Sequence, residues 1–156
     1  MHTAQVIVVS DRVCGGERRD TAGAAAVDTL RRAGLDCPEA LVVAEGAEPL
    51  RSRLVEAIDD GVQVVLTIGG TGIGVSNLTP EVSMELIDVR LTGLETQILV
   101  EGLKSTPRAG LSRGIVGVTA RGGEGTLIAN APNSTGAVAD CLGVLVPLLP
   151  SIFEKF

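Results

Sequence analysis

Aromatic side chains are nearly missing from this chain of 156 residues, which has no tryptophan, no tyrosine and two phenylalanines, Phe153 and Phe156. Its core must therefore be aliphatic, and a surface that stacks nucleic-acid bases on aromatic rings cannot be built. Positive charge is also short: thirteen basic against nineteen acidic residues give a net charge of −6. That balance repels a phosphate backbone unless the basic residues gather in one place, which argues against nucleic acid as a ligand. His2 is the only histidine, so Ser–His–Asp hydrolase chemistry would have a single candidate base. Cys14, Cys37 and Cys141 are odd in number and widely spaced, without a C-x-x-C pair. They read as inert thiols in a reducing cytoplasm. The first residues lack the basic region, apolar core and cleavage site of a signal peptide, and no apolar run appears long enough to span a bilayer without interruption. These absences describe a soluble cytoplasmic protein with no membrane partner. Its length suits a single domain over residues 1–156, with enough chain to bury a sizeable core.

What is present centres on the stretch from Val64 to Glu81. The β-branched run Val64-Val65-Leu66-Thr67-Ile68 ends in Gly69-Gly70-Thr71-Gly72, and the chain restarts as a helix at Thr79-Pro80-Glu81, with Thr79 as N-cap and Pro80 at the first helical position. Glycines at the C-terminal end of a strand let the backbone take positive φ and turn N–H groups toward an anion. In an α/β sheet that edge is where ligands bind. The glycines lack the G-x-G-x-x-G spacing of a dinucleotide site, and no Gly-Lys-Ser/Thr follows, which excludes a Walker-type phosphate loop.

The same strand-then-helix rhythm runs through the chain. Ala4 to Ser10 reads as a strand, residues 13–19 as a loop, and Thr21 to Ala33 as a helix that Asp20 caps. Leu41 to Ala44 is a short strand followed by Glu45-Gly46, and Pro49 opens a helix that Asp59-Asp60-Gly61 ends. After the glycine stretch come a helix to about Ile87, another over Gly93 to Leu103, a connection over 104–110, and two strands, Ile115 to Thr119 and Thr126 to Ala129. The short turn between those two makes them a hairpin. Ser134 caps a strongly apolar last helix that Pro147 and Pro150 kink. Alternation of strands and helices predicts a three-layer α/β/α sandwich, with a mostly parallel sheet and one antiparallel strand.

The ordered set Ser10-Asp11-Arg12, Asp20-Thr21-Ala22-Gly23, Gly69-Gly70-Thr71-Gly72, Thr79-Pro80-Glu81, Leu111-Ser112-Arg113 and Pro132-Asn133-Ser134 resembles the MogA/MoaB family of molybdenum-cofactor biosynthesis. The resemblance implies a domain that binds molybdopterin, assembles as a homotrimer or hexamer, and in active members uses Mg²⁺ and ATP to adenylylate the pterin. It implies that Gly69, Gly70, Thr71 and Gly72 cradle phosphate, with Arg12 and Arg113 supplying positive charge. Ser112, Pro132 and Ser134 would hold the pterin end. Asp11, Glu45 and Asn77 would occupy the catalytic positions, and Glu45 and Glu81 would face the metal. The chain departs from the family pattern at several of these places. Asn77 stands where active members have an aspartate before the Thr-Pro, and Glu45 stands for the aspartate after the second strand. Asn133 replaces the glycine of a Pro-Gly-Ser element, and Gly136 and Ala139 replace basic residues beyond it. The resemblance is thus compatible with an adenylyltransferase or with a non-catalytic relative that binds pterin or a protein partner.

Overall fold

The computed structural model describes residues 1–155. Six strands form one sheet: β1 (Ala4–Val9), β2 (Leu41–Val43), β3 (Val64–Ile68), β4 (Val89–Arg90), β5 (Val116–Val118) and β6 (Leu127–Ala131). Their spatial order is β2-β1-β3-β6-β5-β4. The strands β2, β1, β3 and β6 run parallel, with Ile7 opposite Leu41, Val6 opposite Leu66 and Leu66 opposite Ala129. Both β6 and β4 pair antiparallel to β5, so β5 alone runs against the rest. This is the mostly parallel sheet with one reversed strand that the sequence predicts.

Successive side chains of a strand point to opposite faces, and here both faces are covered. Val6, Val8, Leu66, Leu127 and Ala129 face one side, where they pack with Leu30 of α2 (Ala22–Arg32) and with Val138, Leu142 and Leu145 of α6 (Thr135–Leu145). Ile7, Val9, Val65 and Ile128 face the other, against Leu50 and Leu54 of α3 (Ala47–Asp59) and Val82 of α4 (Thr79–Leu86). The result is the expected α/β/α sandwich. Each fully buried leucine or isoleucine contributes roughly 1.5–3 kcal/mol, and without large aromatics the two layers depend on many such side chains. Across the second layer, Arg51 of α3 donates to both carboxylate oxygens of Glu85 on α4 at 2.7 Å.

Several local expectations shift. The segment expected as a loop begins with one helical turn, α1 (Asp11–Cys14), because Ser10 Oγ accepts from the Val13 N–H at 3.2 Å. Helix α3 starts at Ala47, which puts Pro49 at its third position rather than its first. Thr79 lies inside α4 and does not cap it; its hydroxyl donates to the Gly69 carbonyl at 2.9 Å. The two-residue strand β4 carries no periodic signal and is held by backbone pairing to β5, beside which Arg90 pairs with Glu95 of α5 (Thr92–Leu103), whose Oε2 also accepts from the Val116 N–H at 3.1 Å. The expected connection contains a 3-10 turn, Pro107–Leu111, capped by Thr106. At the end of the chain, α6, a 3-10 turn over Val146–Leu148 and α7 (Leu149–Phe153) follow without a gap. Contrary to expectation, Thr135–Phe153 is long and apolar enough by length and composition to cross a membrane, with a mean hydropathy of 1.8. In the fold, Val138, Cys141, Leu142, Leu145 and Leu149 of this segment are core side chains.

Candidate functional site

From β1 the chain goes first to β2 on one side and then to β3 on the other, so a crevice opens where the C-terminal ends of β1 and β3 diverge. The first of these ends leads into Ser10 and the second into Gly69. A cleft of about 1140 Å³ lies there, reaching from the glycine loop past Pro132, Asn133 and Ser134 behind β6 to α5 and the 3-10 turn.

The glycine loop is held in a conformation that only glycine accepts. Gly69 and Gly70 have φ of +102° and +70°, a Cβ on Gly69 would overlap the Val9 carbonyl oxygen, and one on Gly70 would overlap Thr79 Oγ1. The Gly69 N–H donates to Ala131 O, which ties the loop to β6. The backbone N–H groups of Gly70, Thr71 and Gly72 donate to no acceptor among the described residues. Three successive amides without a protein acceptor, on residues that line a cleft, are the kind of donor row an anion can take.

Arg113, expected as a ligand cation, lines the cleft and is at the same time hydrogen-bonded to the loop. Its Nε donates to the Gly72 carbonyl at 2.9 Å, Nη2 to the Asn77 carbonyl at 2.8 Å, and Nη1 to Glu81 at 2.6 Å, while its own N–H donates to the Thr71 carbonyl. The guanidinium holds the Glu81 carboxyl below the usual carboxylate range, and the pair raises Arg113 in turn. Glu81, expected to face a metal, is therefore taken up by an arginine and does not line the cleft. The other expected positions separate in the same way. Asp11 also lies off the cleft wall and accepts from the Glu45 N–H at 2.9 Å, fixing the loop after β2. Asn77 and Glu45 do face the cleft and each other: Asn77 Nδ2 donates to Glu45 Oε1 at 3.3 Å, and Asn77 Oδ1 accepts from the Gly74 N–H at 3.0 Å. Ser112 and Ser134 line the cleft, although their hydroxyls also accept from the N–H groups of Gly114 and Ala137. Asp20 caps α2, accepting from the Gly23 N–H at 2.7 Å, and stays off the wall.

The carboxylates Asp11, Glu45 and Glu81 consequently do not make a metal-holding set, and no group of three His, Cys, Asp or Glu among the described residues could hold an ion. Magnesium needs only one or two protein carboxylates when substrate phosphates complete its shell. The one expected carboxylate left on the wall is Glu45, and it faces an amide.

Sequence reasoning missed three contributors. Arg18 and Arg108 line the cleft with Arg12, and none of the three side chains has a hydrogen-bond or ion-pair partner among the described residues. No local pattern distinguishes them from ordinary surface arginines. Asn130, on β6 beneath the cleft, is buried and satisfies three groups at once, donating to Thr67 Oγ1 at 2.8 Å and Ser83 Oγ at 3.0 Å and accepting from the Ile115 N–H at 3.1 Å.

Known proteins share this architecture. Residues 5–151 match a family described as a probable molybdopterin binding domain. A putative molybdenum cofactor biosynthesis protein from Corynebacterium diphtheriae has a solved structure that is 40% identical, with a TM-score of 0.85, over 99% of this chain and 98% of its own. A molybdenum cofactor biosynthesis bifunctional protein from Chlorobaculum tepidum is 34% identical over 152 residues, which is 97% of this chain and 46% of that protein. A molybdopterin adenylyltransferase from Helicobacter pylori is 28% identical over 148 residues, covering 93% and 82% respectively. The chain spans less than half the length of the bifunctional relative.

Proposed function

The chain belongs to the MogA/MoaB family of molybdopterin-binding domains, and on that premise we propose that it serves molybdenum-cofactor biosynthesis in the cytoplasm by binding molybdopterin and adenylylating it. The observation that carries this reading is the row of amides at Gly70, Thr71 and Gly72 that have no acceptor among the described residues, on a loop that lines a cleft with arginines unpaired among those residues. Molybdopterin ends in a phosphate and ATP carries three, so both substrates bring anions to one place. Amides held by the Arg113 clasp are already oriented, so binding an anion costs little reorganisation. Ser112, Pro132 and Ser134 would border the pterin end.

In the transfer itself, an oxygen of the pterin phosphate attacks the α-phosphorus of ATP, the bond to the bridging oxygen breaks, and pyrophosphate leaves with that electron pair. What the protein contributes is alignment and charge compensation. Mg²⁺ would arrive with the ATP phosphates, because Asp11, Glu45 and Glu81 do not assemble around a shared point. Self-association as a trimer or hexamer would cover α5, none of whose side chains is fully buried and which exposes Leu99, Val100 and Leu103. The test is pyrophosphate release by the purified chain given ATP, Mg²⁺ and molybdopterin. Release that depends on the pterin is expected. A cleft that takes up pterin, seen as a concentration-dependent rise in melting temperature, yet releases no pyrophosphate would refute the transferase activity. Absence of both effects would refute the whole reading.

A further inference from the structure

The chain has eleven arginines. Seven of them, Arg31, Arg32, Arg51, Arg53, Arg90, Arg113 and Arg121, form ion pairs with carboxylates. The four with no such partner among the described residues are Arg12, Arg18, Arg19 and Arg108, and all but Arg19 line the cleft. With nineteen acidic residues available, a protein of net charge −6 leaves its spare guanidinium groups almost wholly in one cavity. The three come from separate segments: Arg12 from α1, Arg18 from the loop before α2, and Arg108 from the 3-10 turn after α5. The carboxylates usable for a metal are depleted in the same place, since position 77 is an amide, Glu81 is bound to Arg113 and Asp11 to the Glu45 amide. Glu45 and Asp140 are the wall carboxylates with no cationic partner among the described residues.

We propose that this cleft neutralises the polyphosphate of a nucleoside triphosphate mainly with Arg12, Arg18 and Arg108, so that pyrophosphate binds without a divalent cation held by the protein. The inference rests on the adenylyl-transfer reading and adds to it a subsite for the leaving group. A guanidinium presents a planar fork of donors that matches two phosphate oxygens, stays charged at any working pH, and sheds water more readily than an ammonium. Side chains that are exposed and have no partner can swing onto a ligand without breaking an existing pair. Bound polyphosphate would lie with its α-phosphate toward the amides of Gly70 to Gly72 and its far end among the arginines.

Titration of the full chain with inorganic pyrophosphate in EDTA, followed by calorimetry, tests this directly. Binding is expected, and it should weaken as salt rises. Arg18→Gln and Arg108→Gln should each weaken it by about three- to tenfold, in keeping with one exposed charge-assisted contact apiece. Arg19→Gln, which removes an equal charge from a side chain that does not line the cleft, should leave it within about twofold, since an exposed charge without direct contact contributes little. Failure of pyrophosphate to bind until Mg²⁺ is added would overturn the proposal, as would equal losses in Arg19→Gln and Arg18→Gln. The two readings fail separately. Pterin-dependent release at wild-type rates in both cleft variants would sink the subsite and leave the transferase standing, whereas EDTA-resistant pyrophosphate binding without any response to pterin would do the reverse.

Discussion

Replacing Asn130 by alanine should cost this protein a large share of its stability, although the residue is neither apolar nor part of a helix. Its amide joins three elements: β3 through Thr67, α4 through Ser83 and the entry to β5 through Ile115. Truncation leaves the Ile115 N–H without an acceptor in a buried setting, worth about 1–3 kcal/mol. Two hydroxyls lose a donor as well, at about 0.5–1.5 kcal/mol each. Because Asn130 borders the cleft, water can reach part of the gap, so a total near 3 kcal/mol is expected rather than the sum of the upper values. That is a fifth or more of the roughly 5–15 kcal/mol by which domains of this kind are stable, and it corresponds to a fall of about 6–12 °C in Tm. Equilibrium urea unfolding of wild type and Asn130→Ala measures it, as a lower midpoint with an unchanged slope. A loss below about 1 kcal/mol would show that the three contacts are replaceable, contrary to the network argument.

Three further outcomes follow from other parts of the structure. Asn77→Asp puts a second carboxylate against Glu45, in place of the donor now 3.3 Å from it. Like charges so close raise the proton affinity of the pair above that in the unfolded chain. The variant should then keep wild-type stability in acid, lose some as pH rises toward neutrality, and regain it with millimolar Mg²⁺; equal melting curves with and without Mg²⁺ at pH 7 would contradict this. The Glu81 carboxyl has its folded pKa depressed by the Arg113 hydrogen bond, so its contribution is present at neutral pH and vanishes as pH falls through that depressed value. Acid unfolding of Glu81→Gln, compared with wild type, should lack this component. Finally, burial raises the Cys37 thiol and pushes that of Cys141 up to about 12, whereas Cys14 is exposed. Native protein should react with a thiol reagent at one equivalent and unfolded protein at three, and fast labelling of all three in the native state would refute the packing.

What the sequence determined by itself is whatever depends on near neighbours. Val64 to Ile68 announces a strand through β-branched residues, Gly69 and Gly70 announce a backbone that turns with positive φ, and Ser134 announces a helix start; each is a property of a few adjacent residues. The three-layer sandwich follows from the order of such elements, and the family resemblance from the order of short motifs along the same line. The tertiary structure alone decided the rest, because the decisive partners are distant in the chain. Arg113 and Glu81, expected to meet phosphate and metal, are 32 residues apart and satisfy each other; Asp11 is 34 residues from the amide it accepts from. Local pattern cannot say which of eleven arginines has found a carboxylate, since an ion pair depends on how the sheet and its loops bring remote segments within a few ångströms. Once folded, the chain pairs most of its arginines and leaves Arg12, Arg18 and Arg108 lining the same cleft as the glycine loop.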